Sequence, residues 1–114
     1  MLYDAALRSI SRALEALDRG VAGFEAANAA ILRAQDIVGE LMVSLDMEKG
    51  GEIAQNLFGL YVYVNRQLME GNIEKKKAPL ETSRKMLAEL REAWNAIADT
   101  KTTSPRPQGL NIAG

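Results

Sequence analysis

The ionisable side chains of this 114-residue sequence are fifteen carboxylates, fourteen lysines and arginines and three tyrosines, with no histidine and no cysteine. That inventory removes the commonest general base and the commonest metal ligand, together with any thiol nucleophile or disulfide framework. Carboxylate-bridged metal centres in helical bundles need Glu-x-x-His motifs, which cannot be assembled here. No Ser-His-Asp set, P-loop or dinucleotide fingerprint can be built either. Asp46 and the Glu–Lys pairs remain, and they read as surface or capping groups. A formal net charge of −1 offers no footprint for nucleic acid and no polybasic patch for a membrane. No apolar run approaches the length of a membrane span, and the N-terminus lacks a basic region followed by an apolar one. Absent cysteines are compatible with a reducing cytoplasm, where the chain is expected to reside. The sequence therefore predicts no enzyme, no metal and no cofactor. The chemistry left to it is recognition through apolar contact.

Apolar residues are densest in Glu40–Asn72, ELMVSLDMEKGGEIAQNLFGLYVYVNRQLMEGN. Two apolar helical stretches, one ending at Leu45 and one restarting near Gly51, flank the polar turn Asp46-Met47-Glu48-Lys49-Gly50. Asp46, Gly50 and Gly51 form the expected structural joint, since glycine adopts backbone angles closed to other residues. Beyond it, Leu57, Phe58, Leu60, Tyr61, Val62, Tyr63 and Val64 follow almost without interruption. One core-facing stripe does not require that much apolar surface.

Four helices account for the periodicity. The first, over residues 2–19, carries Tyr3, Leu7, Ile10, Leu14 and Leu17 on one stripe and is closed by Gly20. The second, over 25–45, carries Ala27, Ala30, Ile31, Ala34, Ile37, Val38, Leu41, Met42 and Leu45 on a broad apolar arc, with Gly39, Leu32 and Val43 off the main stripe. The third, over 51–71, has a core stripe of Ile53, Leu57, Leu60, Tyr61, Val64 and Leu68. An offset ridge of Ala54, Phe58, Val62 and Met69 lies beside it. A basic turn over 72–78 then leads through Pro79 into a fourth helix, with Leu80, Leu87, Leu90, Trp94 and Ile97 inward. From Thr100 a polar run with two prolines predicts a mobile tail in which Leu110 and Ile112 dock weakly. The expected fold is all-α: an antiparallel four-helix bundle over 1–99 and a flexible tail over 100–114.

The same stretch resembles the signature of the FliS-type flagellar secretion chaperones, similar to SLDMExGGEIAxNLxxLYxYxxRxL. MLYDAAL, ANAAILRAQDIVGEL and LAELREAW extend the resemblance over roughly residues 1–98. Val62, Val64 and Gly71 depart from the family's usual acidic residue, Met and Ala. The family also carries a segment before MLYD that is implied to fold over part of the cargo groove when no cargo is bound. A chain beginning at MLYD is expected to expose more of that groove.

The resemblance implies a cytoplasmic, non-enzymatic chaperone. Its ligand would be the disordered C-terminal region of flagellin, which wraps the bundle, becomes partly helical there and is kept from premature polymerisation. A co-chaperone or the flagellar export gate is a further expected partner. Candidate cargo contacts are Ala54, Phe58, Val62 and Met69 on the ridge, with Asn65 at its rim. Ile53, Leu57 and Tyr61 on the adjoining stripe join them, as do Leu32, Gly39 and Val43 on the second helix. Free, the chain is expected as a monomer or weak homodimer. The rival reading is a helical adaptor whose leftover ridge makes a homodimeric regulatory bundle.

Overall fold

The computed structural model describes residues 2–103, and side chains within 2–95. It contains four helices: α1 (Leu2–Leu17), α2 (Phe24–Val43), α3 (Met47–Glu74) and α4 (Lys77–Thr103), with a 3-10 turn at Gly20–Gly23 between the first two. Each helix packs on two others, in the cyclic order α1, α2, α3, α4 and back to α1. Among the described residues there is no strand, and no helix is long and apolar enough to cross a membrane. The expected four-helix bundle is the observed fold.

Polar rungs mark the direction and register of the packed helices. Arg91 Nη1 donates to Asp4 Oδ1 at 2.7 Å, Arg84 Nη1 to Ser11 Oγ at 3.4 Å, and Lys77 Nζ to Asp18 Oδ1 at 2.7 Å. From Asp4 through Ser11 to Asp18, the residue just after α1, the partners rise in steps of seven while those on α4 descend in steps of seven. A second ladder joins α2 to α3: Gln35 Nε2 donates to the Asn65 carbonyl at 3.4 Å, and Asn72 Nδ2 to Asn28 Oδ1 at 2.7 Å. Buried Ser83 of α4 donates to the Val64 carbonyl of α3 at 3.2 Å, satisfying a hydroxyl that burial would otherwise penalise. Between the ladders lie the fully buried Ile10, Ile31, Val38, Val64, Leu68, Leu80 and Leu87.

Helix boundaries shift from expectation for identifiable reasons. α1 stops at Leu17, and the chain turns through Gly20 at φ +69°. Gly23 then passes so close to α1 that a Cβ there would stand 1.9 Å from the Ala16 carbonyl oxygen. α2 ends at Val43 instead of Leu45. α3 gains a leading turn at Met47, capped by Asp46, whose Oδ1 accepts the Lys49 N–H at 2.9 Å, and the main helix restarts after the non-helical Gly51, near where it was expected. It also runs past Gly71 to Glu74. Lys75 closes it in the left-handed conformation, with its ammonium folded back onto the Asn72 carbonyl at 2.6 Å.

α4 begins at Lys77, which leaves Pro79 within the first turn, where no N–H is needed. The helix passes the expected limit at Thr100 and runs to Thr103. Thr100–Thr103 contain no breaker, the first proline beyond them being Pro105. Residues 104–114 of the expected tail, Leu110 and Ile112 among them, and the side chain of Ile97 lie outside the described residues.

The core stripes need correction at three positions. Ile53, Leu60 and Trp94 are exposed at 45%, 37% and 44%. On α3 the inward seam is Ala54, Leu57, Tyr61, Val64 and Leu68, nearly a heptad pattern. Leu60, one residue before Tyr61, is rotated about 100° off it.

Candidate functional site

Site geometry begins at the joint between α2 and α3. Ser44 Oγ donates to the Leu41 carbonyl at 2.8 Å, closing α2, and Asp46 opens the next helix. Five residues later Gly51 takes φ +55° and ψ −130°, a non-helical break inside α3. A side chain there would meet no atom within 4 Å, so backbone angle is what the position demands of its residue. The break offsets Met47–Gly50 from the rest of α3 and leaves a hollow at that end of the bundle.

Two cavities meet in the hollow. One of about 420 Å³ is walled by Leu41, Leu45, Ile53, Ala54 and Leu57, with Asp46 and Lys49 also contributing. The other, of about 800 Å³, lies between the start of α1 and the last described turns of α4 and includes Leu2, Asp4, Arg8 and Arg91. Tyr3, Leu41 and Trp94 border both. The Tyr3 hydroxyl accepts from Trp94 Nε1 at 3.1 Å and lies 2.5 Å from the Tyr61 hydroxyl. Burial first, and then that contact, push the Tyr61 phenol up from its ordinary value. On the outer wall the Arg91 guanidinium beside Asp4 holds that carboxyl below the usual carboxylate range.

A second apolar surface runs along the α2–α3 ladder. Leu32 and Met69, each 48% exposed, lie between the Asn28–Asn72 and Gln35–Asn65 rungs. Towards the joint the surface continues through half-buried Gly39 and Val62 to exposed Phe58 and Val43. Asn65 Oδ1, on this seam, is buried without a hydrogen-bond partner among the described residues. The sequence candidates thus fall into two groups. Asp46, Gly50, Ile53, Ala54, Leu57 and Tyr61 line the end cavity, and Leu32, Gly39, Val43, Phe58, Val62, Asn65 and Met69 follow the ladder.

This bundle end and ladder are built from the stretches that match known proteins. Residues 1–101 match the family model described as flagellar protein FliS. The chain belongs to the FliS family. Among curated relatives, the flagellar secretion chaperone FliS of Salmonella typhimurium is 39% identical over 100 residues, covering 86% of this chain and 72% of the relative. The Campylobacter jejuni flagellar secretion chaperone FliS is 32% identical over 104 residues, 91% of this chain and 80% of the relative. The Bacillus subtilis flagellar secretion chaperone FliS is 28% identical, with 82% and 68% covered. This FliS-family chain is accordingly a chaperone by family and not an enzyme.

Tyr3, Trp94, Leu41 and Leu45 were placed by sequence reasoning among core positions of three different helices. The structure brings them to one cavity of this FliS-family bundle. The available signal was chemical: Tyr and Trp carry a polar tip that a fully apolar core cannot satisfy. Nothing in single-helix periodicity could have joined positions ninety residues apart.

Proposed function

We propose that this chain is a cytoplasmic flagellar export chaperone that holds the C-terminal region of flagellin in a non-polymerising form. The observation that carries the reading is the unfilled apolar surface on α3 and its neighbours. A 420 Å³ cavity with mainly apolar walls adjoins a run of large side chains, Phe58, Met69 and Leu32 among them, that remain 40–48% exposed along the ladder. An amphipathic segment with anchors at helical spacing can fill both. A disordered cargo segment that orders on such a surface gives up conformational entropy, so it is held without being locked, as an export substrate needs. Holding of this kind requires no nucleotide and no catalytic group. A co-chaperone or the export gate would then dock on the remaining faces.

Gel filtration and calorimetry with a flagellin C-terminal peptide test the reading. A one-to-one complex is expected, with helicity gained on binding. A chain that stays dimeric and ignores the peptide would instead be a homodimeric adaptor using the same ridge.

A further inference from the structure

Large apolar side chains stay open to solvent on both sides of the joint between α2 and α3. Val43 closes α2 at 86% exposure, Met47 opens α3 at 43%, and Ile53, on the wall of the 420 Å³ cavity, follows at 45%. Each has an exposed carboxylate beside it: Glu40 one turn before Val43, Asp46 and Glu48 on either side of Met47, and Glu52 just ahead of Ile53. Between Arg33 and Arg66 the chain carries these four and Asp36 against the single cation Lys49, a net charge of −4. The whole chain has −1, so everything outside that stretch sums to +3. The fold accounts for only part of this charge. Asp46 caps α3 and Glu48 lies in its first turn, where the helix dipole favours an anion. Glu40 lies in the last turn of α2, where the dipole favours a cation and the helix has no basic residue. The ion pairs among the described residues, Arg91–Asp4 and Lys77–Asp18, stand on the α1–α4 side and engage none of these carboxylates.

We infer that the joint end is a docking surface for an amphipathic protein segment whose apolar anchors are flanked by lysine or arginine. Resting on the chaperone reading above, that segment is the part of the cargo seated at the joint. Val43, Met47 and Ile53 supply the apolar contact, and the cavity behind Ile53 receives an anchor. The carboxylates around them raise the local concentration of cationic chain and repel an acidic segment of equal hydrophobicity. Exposed ion pairs add little affinity each, so the rim chooses the sign of the segment while the apolar contact holds it.

The test uses the whole chain and three synthetic helical peptides that share one leucine stripe and carry lysine, glutamine or glutamate on its flanks. Calorimetry at about 0.1 M salt should give the lysine peptide about ten times the affinity of the glutamine peptide, a factor of a few for each exposed ion pair. The glutamate peptide should bind weakest, and about 1 M salt should bring the three together. Glu40→Gln/Glu48→Gln/Glu52→Gln should remove the lysine advantage. Glu70→Gln/Glu74→Gln/Glu81→Gln makes the same change of charge far from the joint and should keep that advantage within about twofold. Glu70 stands eighteen residues, about 27 Å of helix, from Glu52, beyond the screening length of about 10 Å. Val43→Ser should weaken all three peptides alike. Three peptides that bind alike, two triple variants that act alike, or a silent Val43→Ser each overturn the assignment. If circular dichroism shows the joint variant unfolded, Glu40→Gln alone decides, since it relieves an unfavourable dipole contact: it should weaken the lysine peptide about two- to threefold and leave the glutamine peptide unchanged, and equal effects on both overturn the assignment. A wild type that is dimeric and becomes monomeric in the joint variant would give the surface to a second copy and likewise overturn it. A flagellin C-terminal peptide bound equally by wild type and joint variant overturns the assignment and leaves the cargo reading standing. A flagellin peptide that does not bind, with the lysine preference intact, removes the cargo reading and keeps the docking surface.

Discussion

The Tyr3 hydroxyl of α1 stands 2.5 Å from the Tyr61 hydroxyl of α3, although these helices are diagonal and not neighbours in the bundle. The contact has a measurable thermodynamic consequence. Tyr61 has its pKa raised, by burial and then by Tyr3, so the folded chain holds this proton more firmly than the unfolded one. A raised folded pKa contributes stability that is complete below the ordinary tyrosine value, about 10, and is lost as pH climbs above it. Urea midpoints should be level from neutral pH to about 9 and then fall, by at most about 1.4 kcal/mol per pH unit for one proton. Lys77, raised by its bond to Asp18, titrates in the same direction, but that pair is exposed and contributes little. Tyr61→Phe should flatten most of the alkaline limb. A limb of unchanged slope in the variant would assign the lost proton to another group.

Two glycines should respond to alanine with opposite signs. Gly51 holds φ +55° and ψ −130° with open space around it, so Gly51→Ala is penalised by backbone strain alone, about 1–3 kcal/mol. Gly39 sits in ordinary helix within α2, and a Cβ there also meets nothing within 4 Å. Gly39→Ala should stabilise by about 0.4–1 kcal/mol, chiefly by narrowing the unfolded ensemble. Paired urea titrations measure both. A neutral Gly51→Ala would mean that the break in α3 relaxes into continuous helix at no cost, and the end cavity should then change shape with it.

The bundle was legible because its evidence is local. Ile10, Leu14 and Leu17 on α1, and Ile31, Ile37 and Val38 on α2, recur at helical spacing and are buried as expected. The break at Gly51 was legible, but the leading turn Met47–Gly50 was not, because the capping bond from Asp46 depends on a rotamer while the sequence shows only a polar turn with two glycines. Ile53 and Leu60 look inward on a helical wheel of one isolated helix. Their fate depends on where α4 and α1 run, which follows from packing the buried faces of all four helices together. The end cavity was illegible for the same reason: Tyr3, Leu41, Ile53 and Trp94 converge only once all four helices are placed.

Core and cargo surface on α3 separate most cleanly at Leu68 and the pair Phe58 and Met69. Leu68 has no exposed surface, so Leu68→Ala should destabilise the bundle by about 2–5 kcal/mol through lost burial and the cavity left behind. Leu57, at the centre of the expected stripe, is a poorer choice because it is only half-buried and lines the end cavity. Phe58 and Met69 are 40% and 48% exposed on the ladder side. Phe58→Glu with Met69→Glu should therefore leave helicity intact and shift the melting midpoint little. If flagellin crosses this surface, the double change should weaken binding by about 3–6 kcal/mol, taking about 1.5–3 kcal/mol for each apolar side chain buried. Circular dichroism reports the fold and calorimetry the affinity. A double variant that stays folded and binds the peptide normally would take the ladder out of the cargo path. The Leu41, Leu45 and Leu57 cavity would then be the surface to mutate next.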